Sequence, residues 1–278
     1  MSLLAMNFFR NALLASLLAS ITCGIIGTYI VSRRIVFISG GITHASFGGI
    51  GMGYYLGFDP ILGAVIFGIL SALGIEFFTR KADLREDSAI AMLWALGMAL
   101  GIIFIFLTPG YAPNLMSYLF GNILTVSKGD LIFLFLLAVF VIGFFLIFYR
   151  IIIFVSFDEE FAMTNNAPVR LFNALLISLV ALTIVLNIRV VGIILVMSLM
   201  TIPQAIANLF TKRFDFMIFY SILFGFLGSV AGLTFSYIYD VPSGAAIIFT
   251  LVLLYGLMKT GFLIFGKVQT KKREKIRV

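Results

Sequence analysis

The sequence predicts an all-α polytopic membrane protein, and three observations support this class. Hydrophobic residues make up 62% of the 278 residues, charged residues only 11%, and the mean hydropathy is +1.17. A soluble domain carries about 25% charged residues. The apolar residues also form long runs, each near the roughly 20 residues that a bilayer-crossing helix needs. The first run exceeds the apolar part of a cleaved signal peptide, so we interpret it as a retained span.

Length and hydropathy mark nine candidate spans with no soluble domain or long linker between them, so residues 1–278 are interpreted as one membrane-spanning domain. The junction at 187–189 is so tight that one of its two spans is expected to be short, tilted or broken, and eight spans fit as well as nine. The candidate spans are 8–31, 35–57, 61–79, 88–108, 130–155, 171–188, 190–210, 214–238 and 244–265.

The distribution of lysine and arginine predicts the orientation in an inner (plasma) membrane. If the basic tail, 267–278, is cytoplasmic, alternation of nine spans leaves only Arg10, Lys128 and Arg189 outside. The net charge of +7 therefore indicates the positive-inside rule rather than nucleic-acid binding. The basic residues expected on the cytoplasmic side are Arg33, Arg34, Arg80, Lys81, Arg85, Arg150, Arg170, Lys212 and Arg213.

Several site classes are excluded by residue counts and spacing. One His and one Cys cannot form a tetrahedral Cys/His zinc site within one chain, and one Cys cannot form a disulfide framework. Gly261, Gly266 and Lys267 match the spacing of a phosphate-binding loop, but Val268 stands where magnesium requires Ser or Thr. We therefore expect this chain not to hydrolyse ATP itself.

His44 is the principal candidate for chemistry, because it is the only His and falls inside the second span. Imidazole binds zinc, manganese and iron, and a polar side chain at bilayer depth normally faces the protein interior or an aqueous path. A His that only hydrogen-bonds a neighbouring helix is the alternative, and the residue by itself leaves both interpretations open.

Three acidic residues fall on the predicted outer side. Asp59 and Asp130 are interpreted as loop charges or helix caps. Asp240, in a tight Tyr-Asp-Val-Pro-Ser-Gly turn, fits either a cap or a cation ligand and is kept as a second candidate metal ligand. The glycines Gly49, Gly53 and Gly57 follow Ala45 at four-residue spacing, which favours close helix packing.

The predicted inner loop, 156–170, begins with acidic residues and ends in a turn. Acidic residues in a first turn complement the helix dipole, while Asn and Pro end helices, so the loop predicts a short amphipathic helix. Such a helix suits either a protein partner or a partner-free surface. The residues that define it are Asp158, Glu159, Glu160, Asn166, Pro168 and Arg170.

Seven phrases resemble, in order and spacing, the ABC-type metal permeases, the zinc/manganese/iron group of binding-protein-dependent importers (ABC-3 type). They lie at 32–46, 86–90, 118–124, 155–160, 168–170, 201–205 and 239–244. The resemblance implies a type II ABC importer-like permease that pairs with a second copy of itself. It also implies two cytoplasmic ATP-binding subunits and an extracytoplasmic metal-binding protein as partners.

The resemblance implies roles for particular residues as well. It favours His44 as a metal ligand near the path and the loop 156–170 as the segment that couples the permease to its ATPase. It further implies that no cofactor is bound permanently, that zinc, manganese or iron is the cargo, with zinc favoured, and that ATP is bound by the partner subunit. Familiar members often carry Asp four residues before this His, but Gly40 stands here, which removes a hard oxygen ligand and leaves the metal preference open.

Three rival functions remain at this stage. The first is a secondary metal carrier or channel that works without an ATPase. The second is a membrane scaffold or intramembrane enzyme, although no nucleophile and base pair stands out within the spans. The third is a permease for a metal chelate.

Overall fold

The computed structural model describes residues 7–81, 84–109, 121, 123–165 and 168–274, and this part of the chain is helical without strands. A 3-10 turn, Ile123–Thr125, precedes α5. The helices are α1 (Asn7–Ser32), α2 (Val36–Leu56), α3 (Pro60–Lys81), α4 (Glu86–Leu107), α5 (Lys128–Phe157), α6 (Glu159–Thr164), α7 (Val169–Val191), α8 (Ile193–Leu199), α9 (Ile202–Phe210), α10 (Phe214–Tyr239) and α11 (Ser243–Glu274).

The predicted all-α membrane class is confirmed. Within the described residues, eight helical segments are long and apolar enough to cross a membrane: α1, the 60–79 part of α3, α4, α5, α7, the α8–α9 segment, α10 and the 243–264 part of α11. α2 is 21 residues long but is not among the eight, because its glycines and polar side chains lower its hydropathy. The count is eight rather than nine because α2 is left out. The two segments on either side of the tight junction, where the sequence left the count open, are both counted.

The predicted span 190–210 is broken, as the tight junction indicates. α8 ends at Leu199 and α9 begins at Ile202, with Pro203 in its first turn. The Gln204 side chain is fully buried, and its Nε2 donates to the Leu199 carbonyl at 3.2 Å and to the Cys23 carbonyl of α1 at 2.9 Å. This amide satisfies a carbonyl that the break leaves without a helical partner.

The helices have two clearly different ends. At one, which we call the Arg33 end, Arg33 contacts Glu159 and Asn173, and Phe157 packs on Phe214. At the other, the Asp59 end, one cavity is lined by Asp59, Asp130 and Arg189. Because α1 ends beside Arg33 and α3 begins beside Asp59, α2 runs from one end of the bundle to the other despite its lower hydropathy.

The core surrounds α1 and α7. Within the most apolar 18-residue stretch of each helix, 72% of the residues are buried in α1 and 67% in α7, against 11% in α11. α2 is buried on nearly all sides by α3, α4, α7 and α8. The peripheral helices instead carry many exposed apolar side chains, as expected of surfaces that face lipid.

Small residues let the backbone of α2 come into direct contact with the backbones of its neighbouring helices. A Cβ added at Gly49 would lie 2.1 Å from the Gly63 carbonyl oxygen of α3, and one at Gly53 would lie 2.6 Å from Pro60 Cα. Gly57 differs from the packing role expected of it, since nothing lies within 4 Å of its missing side chain. It ends α2 instead, at φ 75°, a left-handed conformation that glycine adopts without strain.

Candidate functional site

His44 lies in the middle of α2, where its ring stacks on Trp94 of α4. The ring centroids are 4.2 Å apart and the planes differ by 5°. The side chain is partly exposed, but Nδ1 is buried and finds no hydrogen-bond partner among the residues that the structure describes. A buried ring nitrogen without a partner is costly, and a metal ion or a second polypeptide would satisfy it.

The position one turn before His44 faces a thioether and an indole. A Cβ added at Gly40 would lie 3.1 Å from Met197 Cε of α8 and 3.6 Å from Trp94 Cζ3. Because i and i+4 side chains share a helix face, Met197 and Trp94 border the same surface as His44. Sequence reasoning missed both; the chain's single Trp was a signal for one, but Met197 is one of 11 methionines and carried none.

Asp240 lies apart from His44. It is the exposed residue that ends α10, with φ 52° and ψ 45°, at the Asp59 end of the bundle. His44 is 12 residues before the end of α2, which at 1.5 Å per residue is about 18 Å along the helix. The structure therefore does not bring these two candidate metal ligands into one site.

The acidic residues of the Asp59 end have structural partners. Asp59 Oδ1 accepts the Ile61 backbone N–H at 2.8 Å, and Asp130 forms a reciprocal capping box with Ser127 at the start of α5. Asp130 also pairs with Arg189 Nε of α7 at 2.7 Å. Asp59 and Asp130 both act as helix caps, which is one of the roles that the sequence suggested. The ion pair between Asp130 and Arg189 joins two helices, so the local sequence could not indicate it.

The inner loop forms the short helix α6, as its acidic start predicts. Asp158 is the N-cap, and its Oδ1 accepts the Phe161 N–H at 2.8 Å. Glu160 is exposed, whereas Ala162 is fully buried against the bundle. Pro168 precedes α7 and Arg170 is exposed in its first turn. Asn166 lies outside the described residues.

Glu159, the remaining acidic residue of this loop, points inward rather than to the surface of α6. Its Oε1 accepts from Arg33 Nη2 at 2.5 Å and from Asn173 Nδ2 at 2.9 Å. Arg33 Nη1 donates to Asn173 Oδ1 at 2.6 Å and to the Tyr29 hydroxyl at 3.3 Å. The three side chains thus form a closed triangle between α1, α6 and α7, which we call the Arg33 triangle.

The Arg33 triangle lies next to a cavity of about 140 Å³ that Glu76 and Glu86 also line. Burial alone would lower the pKa of the Arg33 guanidinium, but its contacts with Tyr29 and Glu159 outweigh burial and raise the pKa. Arg33 is therefore a stable cation at this end of the bundle. Sequence reasoning placed Arg33 only as one of many inner basic residues.

Within the described residues, no group of three or more His, Cys, Asp or Glu side chains gathers closely enough to form a preformed metal site. His44 therefore offers a single donor from one copy of the chain.

Known proteins resemble this chain over nearly its whole length. The ABC 3 transport family matches residues 5–260. A probable metal transport system membrane protein of Chlamydia pneumoniae is 41% identical over 260 residues, covering 91% of this chain and 87% of the relative. The manganese transport system membrane protein MntC of Halalkalibacterium halodurans is 36% identical over 255 residues, covering 92% and 87%.

Solved structures agree with these relatives. A chain of PsaBC from Streptococcus pneumoniae, in complex with Fab, superposes with a TM-score of 0.82 at 31% identity, covering 92% of each chain. A putative metal-chelate type ABC transporter in an inward-facing conformation superposes with a TM-score of 0.71 at 18% identity, which supports the fold. The chain is therefore a membrane permease of the ABC 3 transport family.

Proposed function

We propose that this permease carries divalent transition-metal ions into the cell, driven by ATP that is hydrolysed on partner subunits. The observation that carries the proposal is the His44 imidazole, whose Nδ1 is buried without a hydrogen-bond partner among the described residues. His44 lies in the middle of α2, a helix that runs between the two ends of the bundle. Family membership supplies the transport class, and His44 supplies a donor of the right chemistry.

Zinc is the cargo that we favour. Imidazole is a common zinc ligand, and the neighbouring position, Gly40, adds no carboxylate beside it. Manganese is the second candidate, because several relatives, among them MntC, are named as manganese transport proteins. Asp240 would act separately from His44, by attracting cations to the outer end of the path.

The working unit would be a dimer of this chain with two ATP-binding subunits on the cytoplasmic side and a metal-binding protein outside. The partly exposed surface around His44, Trp94 and Met197 would then face the second copy, so that two imidazoles approach one path. Helix α6 would dock on the ATP-binding subunit through the exposed Asp158 and Glu160. The Arg33 end, which carries Lys81, Arg85, Lys212 and Arg213, would be cytoplasmic in the plasma (inner) membrane.

The decisive test is metal uptake into vesicles that contain the permease, its ATP-binding subunit and its metal-binding protein. His44→Phe keeps a flat ring against Trp94 but removes both nitrogens, so it separates metal binding from stacking. We expect ATP-dependent zinc uptake to fall roughly tenfold or more, the scale on which lost metal contacts act. Manganese and iron serve as competitors in the same assay.

Thr43→Val is the matched control on the same helix. Thr43 is fully buried, and its hydroxyl donates only to the Ser39 carbonyl one turn earlier, so its loss should leave uptake nearly unchanged. Uptake by His44→Phe equal to that of Thr43→Val would show that His44 is a packing residue. Uptake that needs no ATP would instead favour the secondary carrier or channel.

A further inference from the structure

We propose that the Arg33 triangle transmits the movement of α6 to the membrane-crossing helices, with Arg33 as its positioning residue. The inference rests on the proposed function, because it assigns the residues that link ATP hydrolysis to transport. It goes further in naming contacts inside the permease, between α6 and the two most buried helices, α1 and α7.

The attachment of α6 is short and specific. The helix has six residues, too few to be stable by itself, so its position depends on contacts with the rest of the bundle. Its apolar contacts include buried Ala162 and the Phe161 ring, whose centroid lies 5.4 Å from that of Phe154 in α5. The charged contact is Glu159, which reaches α1 and α7 together.

The triangle joins parts of the chain that are far apart in sequence. Arg33 is 126 residues from Glu159 and 140 residues from Asn173, yet all three side chains bond to one another. Asn173 is fully buried, and 19% of the Arg33 side chain and 29% of the Glu159 side chain are exposed. Water therefore screens the contact only partly. A displacement of Glu159 must pull Arg33 along, make it change partners, or leave a largely buried cation unpaired.

Arg33 has room to respond. The cavity beside the guanidinium holds about 140 Å³, several times the roughly 30 Å³ that one water occupies in the liquid. Glu76 of α3 and Glu86 of α4 line its other walls. When α6 moves, Arg33 can therefore turn toward carboxylates on helices that flank α2, which carries His44. This exchange of partners would give Arg33 two discrete arrangements, one held by α6 and one held by the helices that flank α2. Coupling between distant sites requires an element with two such arrangements.

The test compares metal transported with ATP hydrolysed in the same vesicles, using the complete transporter. We expect Arg33→Gln to lower the number of ions carried per ATP by about fivefold or more, the range of ordinary coupling energies, while hydrolysis stays within about twofold. Arg34→Gln is the matched control, since Arg34 is the adjacent arginine and is exposed. It should leave the ratio unchanged.

A charge exchange tests the contact itself. In Arg33→Glu with Glu159→Arg, the Asn173 amide can turn over and present Nδ2 to the new Glu and Oδ1 to the new Arg. The double variant should therefore hold α6 against the bundle again, which a spin label on α6 measures. It should not restore the ratio, because a carboxylate at position 33 cannot turn toward Glu76 and Glu86. Full recovery of the ratio would overturn the exchange of partners, and equal losses of uptake and hydrolysis in Arg33→Gln would overturn the whole proposal.

A second measurement does not depend on transport. A nitroxide attached at Met163→Cys, in a Cys23→Ser background, reports the mobility of α6, because 51% of Met163 is exposed. Arg33→Gln should narrow the spectral lines and Arg34→Gln should not; an unchanged spectrum would overturn the proposal. Absence of ATP-driven uptake by the unmodified transporter would refute the proposed function instead, so the two failures are distinguishable.

Discussion

Among single side chains, the neighbours of His44 bear most directly on the metal ligand role that we propose for it. The indole of Trp94 covers one face of the ring, and Met197 fills the space over Gly40. Aromatic and thioether groups are soft and apolar, whereas manganese prefers oxygen ligands. In the proposed role of His44 as a metal ligand, this environment would favour zinc or iron over manganese, whereas relatives such as MntC are named for manganese transport.

Adding a carboxylate beside His44 should shift this preference. We expect Gly40→Asp to raise uptake of manganese relative to zinc by roughly tenfold, about 1.4 kcal/mol of differential binding. The closest neighbour of the new Cβ would be the terminal methyl of Met197, at 3.1 Å, and that flexible side chain can move aside. Trp94 Cζ3, at 3.6 Å, would be in ordinary van der Waals contact. Competition between the two ions in the vesicle uptake assay measures the ratio.

Gly40→Asn is the control for that change, because it has nearly the same shape without the charge. It should leave the ratio close to that of the unmodified permease. An equal shift in both variants would mean that bulk at this position, rather than a carboxylate, sets the selectivity.

His44 was identifiable from sequence, but its surroundings were not. A lone His within an apolar run stands out in any linear reading, as does an acidic run before a short helix. Trp94 and Met197 come from other helices, and nothing in the local pattern indicates which residue of an apolar helix faces which neighbour. The same reason hid Asn173, which lies in an otherwise apolar stretch of α7.

Between helices, α2 is held by close backbone packing. Its small residues meet α3 through Gly49 and Gly53, and meet α4 through Ala45, whose Cα would lie 2.4 Å from a Cβ at Gly97. Small residues at interfaces let helices approach closely in a membrane, where apolar burial gives little driving force. The consequence is that α2 holds His44 in a fixed position relative to both neighbours.

Gly49→Ala should therefore weaken the packing of α2 on α3. The added methyl would lie 2.1 Å from the Gly63 carbonyl oxygen, and backbone cannot move aside as a side chain can. We expect a loss of about 1–3 kcal/mol, typical of overpacking. Thermal unfolding in detergent should show a melting temperature lower by about 2–4 °C for each kcal/mol.

Gly143→Ala is the matched control in α5. Nothing lies within 4 Å of a Cβ at Gly143, so the substitution should be neutral or stabilise the helix by up to about 1 kcal/mol. A melting temperature that falls equally in both variants would show that the loss does not come from the α2–α3 contact, because helix propensity by itself favours Ala over Gly.

Span positions followed from hydropathy, and the break in 190–210 followed from the tight junction before it. Hydropathy works because lipid demands about 20 apolar residues with satisfied backbone groups, whatever their neighbours. Its signal is weaker for α2, marked in the sequence as 35–57, because that helix is surrounded by protein and needs small residues more than apolar ones. Gly57 was misassigned for a related reason: four-residue spacing continues past the last packed turn, and only the backbone shows that the helix has ended.

For the complete bundle, the charges separate between the two ends. Arg10, Lys128 and Arg189 lie at the Asp59 end, since Asn11 Nδ2 donates to the Val126 carbonyl beside them, whereas the basic residues of the other loops lie at the Arg33 end. α11 returns toward the Arg33 end, where Phe262 packs on Phe210 with ring centroids 5.0 Å apart. The positive-inside rule therefore makes a clear prediction of sidedness.

Cysteine labelling should show that sidedness directly. In a Cys23→Ser background, Tyr239→Cys at the Asp59 end should react with a membrane-impermeant maleimide from outside the cell. Met163→Cys on α6 should react only in inverted vesicles. Both positions are exposed, at 64% and 51%, so lack of access would reflect the membrane and not burial. The opposite pattern of labelling would reverse the orientation.

By itself the sequence determined the all-α membrane class, the position of most spans, the charge difference between the ends, and His44 and α6 as the features to examine. These properties depend on local composition, because each segment enters the bilayer according to its own hydropathy and flanking charges. Only the tertiary structure decided that Glu159 turns inward to Arg33 and Asn173, and that Trp94 and Met197 surround the space beside His44. Those contacts join helices whose surfaces are apolar on most sides, so their rotation and partners follow from packing between elements, and no single helix carries that information.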